Sequence, residues 1–242
     1  MKFFIGTWLS FMTFAAFAAK AELKVMPQSV YGYPIIKVGK QVVTAMPLKL
    51  SNKKGRIAEQ TPYSPITMDI KKVQKNGDKF IIIGSFLAAG NFFQVIESIE
   101  KTGNEKYLVC YLITARKAAF FDVRIYGGIG SREIIGVKNE AGRLYKVPGK
   151  NKRFKHIACK KSICLVHKDT GKHIYINAES GIGVIQIVDK RKWGQGIRMQ
   201  FFSARTGCYA SKKIKAGEAI FFSFSISTRK PEKQKIAASL RR

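Results

Sequence analysis

All three histidines of the chain and two of its four cysteines fall within Phe154–Asn177. His156, Cys159, Cys164 and His167 form a mirror-symmetric His-x2-Cys-x4-Cys-x2-His. By composition this is a zinc tetrad, since imidazole and thiolate are the preferred donors for that ion. Strand geometry argues against it. If Lys160–Ile163 is the loop of a hairpin, Cys159 opposes Cys164 and His156 opposes His167. Residues three apart on a strand point to opposite faces, so the sulfurs would share one face and the imidazoles the other. The spacing therefore predicts a cross-strand Cys159–Cys164 disulfide and leaves Cys110–Cys208 as a second bridge.

The same register extends through an Asp169-Thr170-Gly171 loop that pairs Lys168 with Lys172 and sets His173 opposite His167. His156, His167 and His173 then form one row across a three-stranded meander, with strands about 4.8 Å apart. Such a row offers a three-histidine metal site or a pH-sensitive patch. The outer imidazoles are far apart for one ion, and Lys155, Lys168 and Lys172 repel cations. No metal or other cofactor is expected. A metal-independent ribonuclease would need only such imidazoles, cations for phosphate and a partner such as Glu179.

Basic groups crowd the same region. Eleven Lys and Arg lie between Lys138 and Lys172, against Glu140 and Asp169. Lys150, Lys152, Arg153 and Lys155, then Lys160 and Lys161, sit at loops or strand starts. Lys190, Arg191 and Lys192 lead into Trp193, an aromatic that can stack on a base or sugar while its neighbours hold anionic groups. Together these ten residues make the expected polyanion-binding face. The Gly127–Ser131 loop could form an anion nest beside Arg132, yet it matches neither a dinucleotide fingerprint nor a P-loop and reads as a turn. Serine-hydrolase and zinc-protease signatures are absent. Glu97 and Glu100 are three apart on a predicted strand and face opposite sides, which weakens a glycosidase pair.

The elements that must position these groups are strands. Asn76-Gly77 joins Ile66–Val73 to Lys79–Phe86, a strong hairpin signal. Thr102-Gly103-Asn104 joins Phe92–Ile99 to Lys106–Thr114, and Asn139–Gly142 joins Arg132–Lys138 to Arg143–Val147. Turn signals recur every eight to twelve residues, and long helical periodicity is absent. The expected fold is all-β: an antiparallel β-sandwich or barrel-like unit built from hairpins, with little helix. One domain would span 22–228. Gly127–Ser131 is the natural boundary if there are two lobes, 22–127 and 131–228, and a Cys110–Cys208 bridge would tie them together.

Met1-Lys2, the apolar run Phe3–Ala19 and the Ala19-Lys20-Ala21 site have the layout of a secretory signal peptide over residues 1–21. The expected localisation is therefore secreted or periplasmic, which agrees with an even cysteine count. The whole chain carries a formal charge of +29, with 44 Lys and Arg against 15 Asp and Glu. Losing Lys2 and Lys20 lowers this only to +27. The tail, 229–242, is basic without a strand pattern. The sequence thus predicts an exported, disulfide-bonded, non-enzymatic protein that binds an acidic polymer or an acidic protein or membrane surface. Nucleic acid, acidic glycan, lipopolysaccharide and anionic lipid all fit, and so does the role of a host-directed effector. The rivals are the ribonuclease-like enzyme and an interaction subunit of a cell-envelope assembly.

Overall fold

The computed structural model describes residues 22–53, 55–62, 64, 66–129, 134–148, 154–168, 173–193, 196–207 and 211–230. Five short strands come first: β1 (Leu23–Pro27), β2 (Pro34–Val38), β3 (Gln41–Ala45), β4 (Leu48–Asn52) and β5 (Gly55–Glu59). Long hairpins follow: β6 (Asp69–Asn76), β7 (Lys79–Ala88), β8 (Asn91–Gly103), β9 (Lys106–Ala115) and β10 (Ala119–Ile129). Then come β11 (Ile134–Asn139), β12 (Leu144–Lys146), β13 (Ile157–Cys159), β14 (Ser162–His167), β15 (His173–Ser180) and β16 (Ile182–Asp189). A 3-10 turn at Arg191–Trp193 precedes β17 (Ile197–Ser203), β18 (Lys212–Ile214) and β19 (Ala219–Ser227).

These strands make two antiparallel sheets, as the sequence predicts. The first runs β1-β2-β3-β10-β17-β16-β13, with β4 and β18 also on β10 and β5 on β4. The second runs β12-β11-β14-β15-β19-β9-β8-β7-β6. Alternation sets the inner faces, because successive side chains point to opposite sides of a strand. From β9, Tyr107, Val109, Tyr111 and Ile113 point inward, and from β19 Ile220, Phe222, Phe224 and Ile226 do the same. Aromatic pairs join the sheets: Phe201 of β17 stacks on Phe224 of β19, and Phe93 of β8 meets Phe121 of β10 edge-on, both at 5.0 Å.

One carboxyl lies inside this core. Glu97 of β8 is fully buried, whereas Glu100 turns outward to Lys79 at 2.9 Å, so the two do face opposite ways. Glu97 Oε2 accepts from Gln60 Nε2 at 3.2 Å, and Gln60 Oε1 accepts from the Leu48 amide at 2.7 Å. Burial pushes the Glu97 carboxyl up to about 8, against smaller lowering by Gln60 and Tyr111. Neither Glu97 Oε1 nor the Tyr111 hydroxyl makes a well-aligned hydrogen bond. The chain holds this acid neutral, because an ionised carboxylate there would lose its hydration without full compensation.

Several sequence expectations fail at the level of pairing. Gly127 and Gly128 do not form a loop; they continue β10. A Cβ on Gly127 would lie 2.4 Å from the Ala45 carbonyl oxygen, so the glycine permits close passage of β3. The hairpin expected around Lys160–Ile163 is also absent. β13 pairs with β16 in the first sheet, while β14 pairs with β11 and β15 in the second. The chain crosses between sheets there, so Cys159 and Cys164 are buried, free cysteines. Cys110 is likewise free, and Cys208 lies outside the described residues, as do residues 1–21.

Candidate functional site

The second sheet presents its outer face as a groove of roughly 1700 Å³. Its floor is built by register. Lys138 of β11 sits opposite Cys164 of β14, Cys164 opposite Tyr175 of β15, Tyr175 opposite Ser227 of β19, and Ser227 opposite Lys106 of β9. Two residues along, Asn177 lies opposite both Ser162 and Ser225. The β11–β12 turn at Glu140–Gly142 walls one end and the β8–β9 turn at Gly103 and Asn104 the other. Glu140 braces its wall by accepting from the Lys161 amide at 2.8 Å and the Lys160 amide at 3.3 Å. Asn139 shapes the same turn, its Oδ1 accepting from the Arg143 amide at 2.9 Å.

At the β11 end, Lys138 Nζ donates to His173 Nε2 at 3.0 Å. Burial, and then the Lys138 charge, lower the pKa of His173, so its imidazole stays neutral and accepts. Burial pushes the Cys164 thiol up to about 11, although Lys138 and the Tyr175 hydroxyl pull the other way. Cys164 is therefore a thiol at neutral pH and a poor nucleophile. Beyond Tyr175, Asn177 Nδ2 donates to Ser225 Oγ at 3.3 Å, and Ser225 Oγ donates to Glu179 Oε1. This chain of amide, hydroxyl and carboxylate offers donors and acceptors beside a half-buried phenol ring. Hydroxyl-rich ligands are recognised by such groups, with apolar ring faces packing on the aromatic.

The residues singled out from sequence are dispersed. His167 is buried at 1% exposure on the core side, His156 is exposed just before β13, and His173 is half-buried beside Lys138, outside the groove lining. The β14–β15 register pairs Val166 with His173, one residue from the expected His167 pairing. A one-residue slip reverses the face, which is why the histidine row does not form. Among the described residues no cluster of His, Cys, Asp or Glu could hold a metal ion. Lys150, Lys152 and Arg153 lie outside the described residues. Lys155 and Lys160 are exposed, Lys161 lines the groove, and Lys190 and Lys192 flank Arg191 at the 3-10 turn. Arg191 is held by Asp189 at 2.7 Å, and the Trp193 side chain is outside the described part. Sequence reasoning missed Tyr175, Asn177 and Ser225; alternation of polar residues on β15 was the available signal.

The outer face of the first sheet is polar too, but its groups engage one another. The Tyr126 ring lies between Lys49 and Arg198, at 5.0 and 5.1 Å from the ring centre. Arg124 donates to Ser51 at 2.9 Å, lies 3.6 Å from Asp122 and packs on Phe202 at 5.7 Å. That arrangement knits β4, β10 and β17 together.

No protein-family model matches the sequence, and no curated protein matches it. Solved structures do match in shape. The Slr1438 protein from Synechocystis sp. PCC 6803 aligns with a TM-score of 0.53 at 10% identity, over 87% of this chain and 93% of that one. A galactose mutarotase related enzyme from Lactobacillus acidophilus gives 0.49 at 6% identity, over 87% and 98%. A galactose mutarotase-like protein from Clostridium acetobutylicum gives 0.46 at 8%, over 85% and 98%. At such identities the likeness concerns the fold.

These findings correct the functional expectation. The disulfide-bonded polyanion binder is not retained, because Cys159 and Cys164 are free cysteines on strands of different sheets. The ribonuclease alternative loses its site, since the three histidines fall on different faces and Glu179 is bound by Ser225. The envelope-subunit alternative falls with the same line of reasoning.

Proposed function

We propose that this protein binds a saccharide in the groove on the outer face of its second sheet. The observation that carries the reading is Tyr175 standing mid-floor beside the Asn177–Ser225–Glu179 chain. A sugar ring has an apolar face for the phenol and hydroxyls for the amide and carboxylate, and concave sites with a few convergent polar groups are the usual form of ligand pockets. Glu179, acceptor-only when ionised, would take hydrogen bonds from two ring hydroxyls. Anomer interconversion would need an acid and a base on one ring. His173 and Glu179 are six residues apart on β15, roughly 20 Å, so that pair cannot serve a single pyranose. The proposal is therefore recognition of the sugar, with the groove's polar chain fixing its orientation.

Saturation-transfer NMR with glucose, galactose and their linear oligomers tests the reading. Transfer to sugar protons is expected with the wild-type protein, weakened at least tenfold in affinity by Tyr175→Ala and by Glu179→Gln. Absence of transfer at millimolar sugar, or binding untouched by both substitutions, rejects the groove as a sugar site.

A further inference from the structure

Resting on that reading, we infer that the ligand is a linear oligosaccharide running across the strands, with Tyr175 under a central unit. The floor row Lys138–Cys164–Tyr175–Ser227–Lys106 crosses five strands. Four interstrand steps of about 4.8 Å give it a length of roughly 19 Å, room for about four linked rings. The volume points the same way. Small-ligand clefts usually measure about 300–1,000 Å³, and this groove holds roughly 1700 Å³. A single hexose would leave most of it filled with water and would touch neither end.

The ends are defined. Ala141 and Gly142 of the β11–β12 turn bound one side, Gly103 and Asn104 the other. Tyr175 is third of the five residues in the row, so sugar units can extend from it in both directions. Lys138 and Lys106 stand at the two ends, where their ammonium groups donate to hydroxyl or ring oxygens. Lys106 and Ala141 are exposed, and substitutions there alter the ends of the groove without touching the core.

Isothermal titration with glucose, galactose and their linear oligomers of two to six units decides the matter. Affinity is expected to rise at least tenfold from one unit to four and then level off. Lys106→Ala and Ala141→Trp should weaken tetramer binding severalfold more than monosaccharide binding, and Tyr175→Ala should weaken both. A monosaccharide that binds as tightly as its tetramer overturns the extended ligand and leaves the sugar site standing. Binding by no member of the series overturns both readings. Equal losses for monomer and tetramer in the Ala141→Trp protein would also refute the extended track, since that side chain reaches only the end of the groove.

Discussion

Replacing Glu97 by glutamine should abolish a pH dependence that the fold imposes on itself. In the unfolded chain this carboxyl titrates near its ordinary value of 4.5; folded, it is fully buried and titrates at about 8. Between these values the unfolded chain has lost the proton and the folded one keeps it, so folding takes up a proton. Stability then falls by about 1.4 kcal/mol for each pH unit gained. The group's contribution is complete below pH 4.5 and is lost as pH rises towards 8. From pH 5 to 8 the loss amounts to roughly 4 kcal/mol, a large share of the 5–15 kcal/mol that holds a typical domain folded. Glutamine keeps the shape and can still accept from Gln60, but it does not titrate. Urea unfolding of both proteins at pH 5, 6, 7 and 8 isolates the term, because every other group cancels in the difference. The glutamine protein should match the wild type near pH 5 and exceed it increasingly above. A difference that stays flat across this range would refute the buried neutral acid.

Other consequences are separate from the groove's ligand. Gly181→Ala would set a Cβ 2.0 Å from the Phe221 carbonyl oxygen at a residue with φ of +65°, and it should cost well over about 1 kcal/mol, read as a lowered Tm; an unchanged Tm would remove this contact from the account. Unfolding without reductant in iodoacetamide should alkylate Cys110, Cys159 and Cys164 alike, whereas a linked Cys159–Cys164 peptide would contradict the two-sheet placement of those residues. Lys138→Ala should raise the His173 titration midpoint, since it removes a repelling charge. Burial is the larger cause and remains, so the midpoint should still lie below 6.5; NMR of the imidazole protons measures both.

Fold class was legible because strand signals are local. Asn76-Gly77 does close the β6–β7 turn, with Gly77 at a φ of +56°, and Asn139–Gly142 does close β11–β12. The five short strands from Leu23 to Glu59 were less visible, being interrupted by Pro27, Pro34 and Pro47, which cannot donate to a ladder. Gly127-Gly128 misled in the opposite sense: a glycine pair reads as a turn, but here it serves a close strand passage beside Ala45.

The site shows where local reasoning stops. Cys159 and Cys164 are five residues apart, and proximity suggested a hairpin whose register would pair both sulfurs and imidazoles. Both cysteines are buried, yet only Cys159 packs in the core; Cys164 lies on the outer face of β14, while its neighbours Ile163 and Leu165 point inward, so the shared face expected for the two sulfurs does not form. The partner failed as well. Each short strand found a longer one elsewhere, β13 on β16 and β14 on β15, because a three-residue strand gains little from a hairpin of its own. The register of β14 and β15 is fixed instead by burying Ile163, Leu165, Ile174 and Ile176 together, and a slip of one residue would turn one strand's pair outward. That constraint moves His167 into the core and turns Tyr175 and Asn177 outward. The candidate site is thus a by-product of core registry: the side chains left on the far face of strands whose near face is pinned.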